Sequence, residues 1–452
     1  MLYRKIENKI NYWVENSNSA LLLTGARQVG KTTILKDILE KKNINYVYFN
    51  LIEQPEVVKL LKTLSSSNVS DISSKLSLLS NNLIKGNTII FFDEIQEFKE
   101  IITIIKFLVL EGSFRYVLSG SLLGVELIDL RSAPVGFLET LDMYPLDFEE
   151  FLYAFNIKKE IIDRLYNAYL NRKPVDEFVH EKIMELFREY LIIGGMPEAV
   201  YSFINDHDYN KVEIIHKKII DQYKMDFSKY ESSNKLKLHR IYDLIPSELD
   251  QKNKRYIFSD IDKNFKFDRY ENSFNWLIDA GLALPIFNIT EPRLPIKLNV
   301  KNNLFKLFLS DVGLLTTMYG TATKLGIINK DKSLNSGAIY ENVVAEELTA
   351  HGFDGYYFNS HKQGEIDFVI EFNGSVLPIE IKSGKDYEIH SALNNVLNNR
   401  DYGINEAFVL SNYNLKIDGR ITYLPIYMLM FIDNDRIEKP KYKEIDLSGL
   451  TI

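Results

Sequence analysis

A run of eight residues from Gly25 to Thr32 has the composition and spacing of a phosphate-binding loop. It reads Gly-Ala-Arg-Gln-Val-Gly-Lys-Thr, which matches G-x-x-x-x-G-K-[ST] at every position. The two glycines let the backbone curl around an anion so that its N–H groups face the charge. Lys31 is then placed to reach the β- and γ-phosphates of a nucleotide, and the Thr32 hydroxyl to hold Mg²⁺. The alternative is a glycine-rich turn without a ligand. The predicted nucleotide-binding residues are Gly25, Ala26, Arg27, Gln28, Val29, Gly30, Lys31, Thr32, Thr33 and Ser119.

The elements around this run are those that a phosphate loop requires. Residues 20–23 are Ala-Leu-Leu-Leu, an apolar run typical of a buried strand. Residues 33–39 carry apolar side chains at helical spacing. A strand, a loop and a helix in this order direct the helix N-terminus at the phosphates.

A second apolar run supplies acidic residues for the same chemistry. Residues 88–92 are uncharged and predict a parallel strand that is buried on both faces. Asp93 and Glu94 follow at its carboxyl end, where open α/β sheets bind ligands. Asp93 is predicted to hold the Mg²⁺ shell and Glu94 to orient an attacking water, which makes both catalytic together with Lys31. The alternative is a pair of surface acids that open a turn.

A third strand is predicted over residues 115–119. It ends in small polar residues, and Ser119 or Ser121 is a candidate sensor of the γ-phosphate. The competing interpretation is that both serines are ordinary turn residues.

Composition favours a cytoplasmic protein. The chain contains 54 basic and 62 acidic residues, a net charge of −8, and no cysteine. It therefore has no disulfide framework and no thiolate metal site. No apolar run approaches the length of about 20 residues that spans a membrane. The acidic balance argues against non-specific nucleic-acid binding by the whole surface, while short basic runs at 235–240 and 252–255 leave a local contact open.

The pattern along the chain predicts four domains and an α/β fold class. Residues 1–152 alternate strands and helices around a parallel sheet, as a P-loop domain does. Residues 153–220 are helical, residues 221–325 resemble a winged-helix module or a generic α+β insert, and residues 326–452 form a last α/β unit.

A hairpin in the last unit is the second candidate site. Asn373-Gly374 separates two alternating segments and predicts a two-residue turn. This register places Asp367 opposite Glu380, with Lys382 on the same face, and puts Ile366 on the apolar face with Phe368. Two opposed carboxylates destabilise a hairpin unless they are neutralised, and a divalent cation such as Mg²⁺ or Mn²⁺ does this well. The alternative is a solvated polar face in which Lys382 pairs with both acids.

The combined motifs resemble those of prokaryotic AAA-type ATPases that carry a C-terminal DUF4143 region. The resemblance covers nearly the whole chain. It rests on the phosphate loop, Phe91-Phe92-Asp93-Glu94-Ile95-Gln96, Leu118-Ser119-Gly120-Ser121, Tyr144-Pro145-Leu146-Asp147-Phe148-Glu149-Glu150-Phe151, Gly194-Gly195-Met196-Pro197-Glu198 and residues 305–314 and 337–348.

This resemblance implies Mg-dependent ATP binding and hydrolysis that drive a conformational switch. It also implies a C-terminal fold similar to PD-(D/E)xK nucleases, with Asp367, Glu380 and helical Glu341 as metal ligands and Lys382 beside them. Expected partners are ATP, DNA, and a protein or a second copy of the chain. The competing hypothesis is an ATP-regulated switch with little turnover and a degenerate nuclease fold. A Gly-Arg pair that is frequent in the family is missing, which leaves Arg131 as the candidate arginine finger.

Overall fold

A computed structural model describes most of the 452-residue chain. The described residues are 2–63, 74–76, 78–80, 82–121, 136–227, 235–251, 256, 270–331, 334–384 and 386–437. Arg131 and the basic run at 252–255 lie outside them. Within the described residues, no helix combines the length and the apolar character needed to cross a bilayer.

Fifteen α-helices and thirteen strands are described in these ranges. The helices are α1 Ile6–Asn16, α2 Lys31–Lys41, α3 Pro55–Lys62, α4 Ile101–Glu111, α5 Phe148–Ala154, α6 Lys159–Leu170, α7 Glu177–Ile193, α8 Pro197–Asp206, α9 Tyr209–Phe227, α10 Lys235–Asp250, α11 Glu271–Asp279, α12 Val312–Tyr319, α13 Thr321–Ile328, α14 Gly337–Ala350 and α15 Ser391–Asn398. The strands are β1 Ala20–Thr24, β2 Tyr46–Asn50, β3 Ile89–Asp93, β4 Arg115–Ser119, β5 Leu138–Asp142, β6 Ala283–Ile289, β7 Val300–Leu309, β8 Tyr356–Ser360, β9 Gly364–Phe372, β10 Ser375–Lys382, β11 Ala407–Ser411, β12 Lys416–Asp418 and β13 Ile421–Pro425.

The predicted parallel sheet is confirmed in the N-terminal region. Its strand order is β2-β3-β4-β1-β5, and each neighbouring pair is parallel. Strands β1 and β3 are buried along their whole length, which explains their uninterrupted apolar sequence. Because β4 lies between them, the phosphate loop after β1, Ser119 and Asp93 meet at one edge of the sheet.

Two short motifs join this region to the helices that follow it. Asp147 and Glu150 form a capping box at the start of α5. The Gly194-Gly195 turn between α7 and α8 packs directly against Asp311, whose carboxylate accepts a hydrogen bond from the Gly195 N–H at 2.6 Å. A side chain on Gly194 would lie 2.3 Å from the Asp311 Oδ1, so only glycine fits there.

The second sheet crosses the predicted domain limit at residue 325. It has eight strands in the order β12-β13-β11-β10-β9-β8-β6-β7. Strand β6, from the predicted winged-helix-like module, pairs in parallel with β8 of the last unit. The β6–β7 hairpin and the C-terminal strands therefore share one sheet, and α14 packs on β6, β7 and β10.

The β9–β10 hairpin pairs in the predicted register from Ser375↔Phe372 to Ile379↔Phe368. The prediction for Ile366 was wrong. Ile366 packs in a different apolar cluster from Phe368, because β9 has one extra residue relative to β8 between the Phe358↔Ile366 and Tyr356↔Val369 pairs. Such a bulge breaks the alternation of side chains along a strand. It lies between Ile366 and Val369, a stretch that includes Asp367, one of the candidate site residues.

Candidate functional site

The phosphate loop connects β1 to α2 through backbone conformations that glycine allows. Gly25 has φ 134° and Gly30 has φ 100°, and Gln28 adopts the left-handed region at φ 66°. A Cβ on Gly25 would lie 2.1 Å from the Met143 carbonyl oxygen, so the close approach of this backbone excludes a larger residue. The resulting curl directs the start of α2 toward the edge of the sheet where Asp93 lies.

Lys31 is the first residue of α2 and is buried in the loop. Its ammonium donates hydrogen bonds to the Gly25 carbonyl at 2.9 Å and to the Ala26 carbonyl at 2.7 Å. Burial lowers the pKa of Lys31 to about 8, although the nearby Glu94 and Asp93 carboxylates oppose this shift. A buried cation that donates its hydrogen bonds to backbone carbonyls is well suited to bind a phosphate.

The Asp93 carboxylate accepts hydrogen bonds from three hydroxyl groups, which belong to three different elements. The Thr32 hydroxyl of α2 donates to its Oδ2 at 2.8 Å and the Tyr48 hydroxyl of β2 to the same oxygen at 2.9 Å. The Ser119 hydroxyl of β4 donates to its Oδ1. The Thr32–Asp93 pair is the arrangement that holds Mg²⁺ in P-loop enzymes, and both groups offer the oxygen ligands that this ion prefers. The donor set therefore fits a Mg-nucleotide.

Glu94 directly follows β3 in the left-handed region, with φ 57°. The Gln96 side chain donates a hydrogen bond to its Oε2. The carboxylate keeps further acceptor sites that can orient a water molecule. Because of this backbone conformation, the side chain of Glu94 points in a different direction from that of Asp93. Strained backbone conformations of this kind cluster at functional sites.

The side chains of Arg27 and Gln28 are turned toward helix α9 instead of into the loop. Arg27 forms an ion pair with Asp226 at 2.8 Å, and the Gln28 side chain donates a hydrogen bond to Gln222. The Tyr223 hydroxyl donates to the Arg27 carbonyl at 3.1 Å. Arg27 and Gln28 can therefore contact a phosphate through their backbone N–H groups. Thr33, the third residue of α2, is exposed.

The acidic residues of the C-terminal region meet around the bulge in β9. Asp367 accepts a hydrogen bond from the Ile381 N–H at 2.8 Å. Burial raises the pKa of Asp367 well above its usual range, and the Glu380 and Glu341 carboxylates raise it further. The pKa of Glu380 is raised as well, by burial, although the Lys382 ammonium at 2.9 Å opposes the shift.

A second lysine, which the sequence analysis did not include, enters this acidic cluster. Lys306 of β7 is fully buried and forms ion pairs with Glu365 at 2.8 Å and with Glu341 at 3.3 Å. These carboxylates raise the pKa of Lys306 despite its burial. Four carboxylates thus share two ammonium groups, so the cluster retains excess negative charge when all of its groups are ionised.

The cluster does not form a complete metal site by itself. In the described ranges, no three His, Cys, Asp or Glu side chains are grouped so that they could hold a metal ion. Glu380 Oε2 is nevertheless buried and has no hydrogen-bond partner there. Asp367, Glu380, Glu341 and Lys382 interact electrostatically with one another, and the Lys306 ammonium neutralises part of the negative charge that the sequence analysis assigned to a bound cation.

Several residues that contribute to the two sites were not identified from the sequence. Lys306 had a detectable signal, since it is a lone charge within the apolar run at 304–309. Tyr48 alternates with apolar residues along β2, which indicates only that it lies on one face. Asp226 and Tyr223 gave no signal, because their contact with the loop depends on how α9 packs.

Family comparisons match three segments of the chain. The AAA domain family AAA_14 matches residues 17–152, and the domains of unknown function DUF8612 and DUF4143 match residues 184–325 and 336–429. The predicted resemblance to AAA-type ATPases with a DUF4143 region is thereby confirmed. None of these matches assigns a nuclease fold. No curated protein matches the chain.

Two solved structures match the chain at low sequence identity. The Walker-type ATPase PABY2304 of Pyrococcus abyssi is 16% identical over 71% of this chain and 96% of its own, with a TM-score of 0.42. The RuvB Holliday junction branch migration motor of Thermotoga maritima is 14% identical over 65% of this chain and 90% of its own, with a TM-score of 0.28.

Proposed function

We propose that this chain, which belongs to the proteins with an AAA domain followed by a DUF4143 region, binds Mg-ATP and hydrolyses it to drive a conformational switch. The observation that carries the proposal is the hydrogen bond between Thr32 and Asp93 beside the buried Lys31 ammonium. The strand order that brings these residues together separates β1 from β3 by a single strand.

Each residue has a distinct role in this proposal. Lys31 and the loop N–H groups bind the phosphates, and Thr32 and Asp93 hold the ion. Mg²⁺, when bound, neutralises charge that develops on the phosphates. Glu94 orients the attacking water through its carboxylate. Ser119 holds Asp93 from the neighbouring strand, so its proposed role as a sensor of the γ-phosphate acts through that carboxylate.

Two substitutions test this assignment. Lys31→Ala is expected to abolish binding of Mg-ATP, because the loop loses its only lysine. Glu94→Gln is expected to retain binding and to trap ATP, because the amide cannot accept the proton of the water. Binding is measured by calorimetry and turnover by phosphate release. Normal hydrolysis by Lys31→Ala would refute the proposal.

The competing function is an ATP-regulated switch with little turnover. The contacts of helix α9 with Arg27 and Gln28 favour nucleotide-dependent movement of the helical region in either case. Turnover far below the enzyme median of about 10 s⁻¹, together with salt-dependent DNA binding, would favour the switch. A pull-down with the Glu94→Gln variant and ATP would identify the partner, whether DNA, a protein or a second copy of the chain.

The acidic cluster supports a second candidate function, metal-dependent binding or cleavage of DNA. Mg²⁺ is commonly bound by one or two carboxylates together with substrate phosphates. Asp367 and the unpartnered Glu380 oxygen supply two such ligands, Glu341 lies near them, and Lys382 is placed beside the phosphate. We propose Mg²⁺ or Mn²⁺ as the ion at this second site.

Plasmid and branched-DNA cleavage with Mn²⁺ tests this function. The parent protein and Asp367→Ala, prepared in parallel, are compared at equal concentration. Cleavage by the parent and not by the variant is expected, together with a rise in melting temperature on addition of Mn²⁺ that the variant lacks. Equal cleavage by both proteins would identify a contaminating nuclease, and no metal response in either would exclude the site.

A further inference from the structure

Arg4, which precedes the first helix, is buried against the phosphate loop. Its side chain makes three hydrogen bonds to different parts of the chain: Nη1 donates to the Val29 carbonyl at 2.9 Å, Nη2 to the Tyr144 carbonyl at 2.5 Å, and Nε to Glu150 at 3.0 Å. Only 5% of the residue is exposed. A guanidinium held in a rigid fork by three acceptors fixes their relative positions.

The direction of the Val29 carbonyl determines where the next N–H group of the loop points. It belongs to the peptide group that joins Val29 to Gly30, and in a planar trans peptide the C=O and N–H bonds point in opposite directions. When Arg4 holds the carbonyl on one side, the Gly30 N–H is directed to the other. Because Gly30 has φ 100° and lacks a Cβ, its own backbone does not restrict this orientation.

The other partner of Arg4 leads toward the C-terminal region. Glu150 and Asp147 form the capping box of α5, and Lys5 donates its backbone N–H to Glu150 at 2.6 Å. Asp147 Oδ2 lies 3.1 Å from His351 Nε2, which follows helix α14. Glu347 of the same helix accepts a hydrogen bond from the Phe148 N–H at 2.6 Å.

Charge is closely balanced along this buried chain of contacts. Lys5 forms ion pairs with Asp147 at 2.7 Å and with Glu149 at 2.8 Å, and Arg436 pairs with Glu149 at 2.6 Å. Although burial favours the protonated acid, Lys5 and His351 hold the pKa of Asp147 well below its usual range. The contacts of Asp147 with Lys5 and His351 are therefore ionic, and removing one partner of a buried ion pair is costly.

We propose that Arg4 is a positioning residue of the nucleotide site, which orients the Val29–Gly30 peptide for phosphate and joins the loop to helix α14. This inference rests on the proposed binding of Mg-ATP. Helix α14 carries Glu341 of the acidic cluster near its other end, so the same contacts connect the two candidate sites through one rigid helix.

Arg4→Lys tests the role while it retains the buried charge. Lysine cannot serve the three acceptors in the fork geometry of arginine. We expect KM for ATP to rise about tenfold or more, while kcat at saturating ATP changes by no more than about threefold. Arg115→Lys is the matched control, because the Arg115 side chain also makes three hydrogen bonds, all of them to backbone carbonyls (Trp13, Val14 and Ser17) away from the loop.

An unchanged KM in Arg4→Lys, or an equal rise in Arg115→Lys, would overturn the positioning role. Circular dichroism verifies that both variants are folded, and the milder Glu150→Gln variant, which keeps both carbonyl contacts of Arg4, replaces Arg4→Lys if the latter is not. For Glu150→Gln we expect a smaller rise in KM, and an unchanged KM would equally refute the role.

Hydrogen exchange tests the link to α14. Mg-ATP is expected to slow exchange at residues 344–351 in the parent and not in Arg4→Lys. The same change in both proteins, or none in the parent, would refute the link. Failure of the parent to bind Mg-ATP at all would instead refute the proposed function, so the two failures are distinguishable.

Discussion

Burial of the Lys31 ammonium predicts that the phosphate loop destabilises the nucleotide-free protein. The folded-state pKa is about 8, compared with an ordinary value of 10.5. At about 1.4 kcal/mol for each pH unit, holding the charge in the loop costs about 3 kcal/mol at pH 7. Because the folded-state pKa lies below the unfolded one, the unfolded chain binds more protons between pH 8 and 10.5. Stability therefore rises with pH across this window.

Lys31→Met removes the charge and keeps most of the side-chain volume. The variant loses the hydrogen bonds to the Gly25 and Ala26 carbonyls, worth about 1 kcal/mol each, so its net gain at pH 7 is about 1 kcal/mol. At pH 10 the parent lysine is mostly neutral in the folded protein. The stability difference between variant and parent is expected to fall by about 2 to 3 kcal/mol from pH 7 to pH 10.

Denaturant unfolding at the two pH values measures this difference, with the buried Trp13 and Trp276 as fluorescent probes. Groups other than Lys31 titrate equally in both proteins, so their contributions cancel. A difference that does not change with pH would refute the reasoning. Mg-ATP at about 100 times its Kd should stabilise the parent by about 2.7 kcal/mol and leave the variant unchanged.

Lys306→Met, which replaces another buried lysine, is the matched control for Lys31→Met. Its carboxylate partners raise its pKa, whereas burial lowers that of Lys31. Its removal takes one cationic partner from Glu341 and from Glu365. The control variant is therefore expected to be less stable than the parent at pH 7 by about 3 kcal/mol or more. A stabilising effect here would mean that the charges at both sites are misassigned.

Three further predictions concern single positions. Gly25→Ala should lower the melting temperature and abolish ATP binding, because its Cβ meets the Met143 carbonyl at 2.1 Å; Gly384→Ala, which meets nothing within 4 Å, should change neither. Asp367→Asn, measured in EDTA, should raise the free energy of unfolding by about 1 to 3 kcal/mol at pH 8 and by less at pH 5. The reason is that a buried carboxyl with a raised pKa destabilises the folded protein as pH rises and the group ionises. A larger gain at pH 5 than at pH 8 would contradict this. Burial lowers the pKa of His216 to about 3, so the folded protein is destabilised relative to the unfolded chain as pH falls below 6.5. Between pH 7 and pH 5, the free energy of unfolding of the parent should therefore fall by about 2 kcal/mol more than that of His216→Gln. Parallel pH profiles of the two proteins would refute this.

Local sequence was sufficient for features that depend on neighbouring residues. The phosphate loop, the apolar strands β1, β3 and β4, the capping box at Asp147 and the Asn373-Gly374 turn all follow from spacing and backbone preference. Buried parallel strands need uninterrupted apolar runs, and ligands bind at their carboxyl ends, so Asp93 could be placed beside the loop before any contact was known.

Tertiary structure decided the contacts between distant segments. Arg4 reaches Val29 and Glu150 because α1 packs against α2, the helix that follows the phosphate loop. Lys306 reaches Glu341 because β7 joins the C-terminal sheet. The bulge between Ile366 and Val369 depends on pairing with β8 and is invisible in the alternation of β9 itself. A pattern of residue types records which side chains must be buried, whereas the partner that neutralises a buried charge is chosen by how the elements pack.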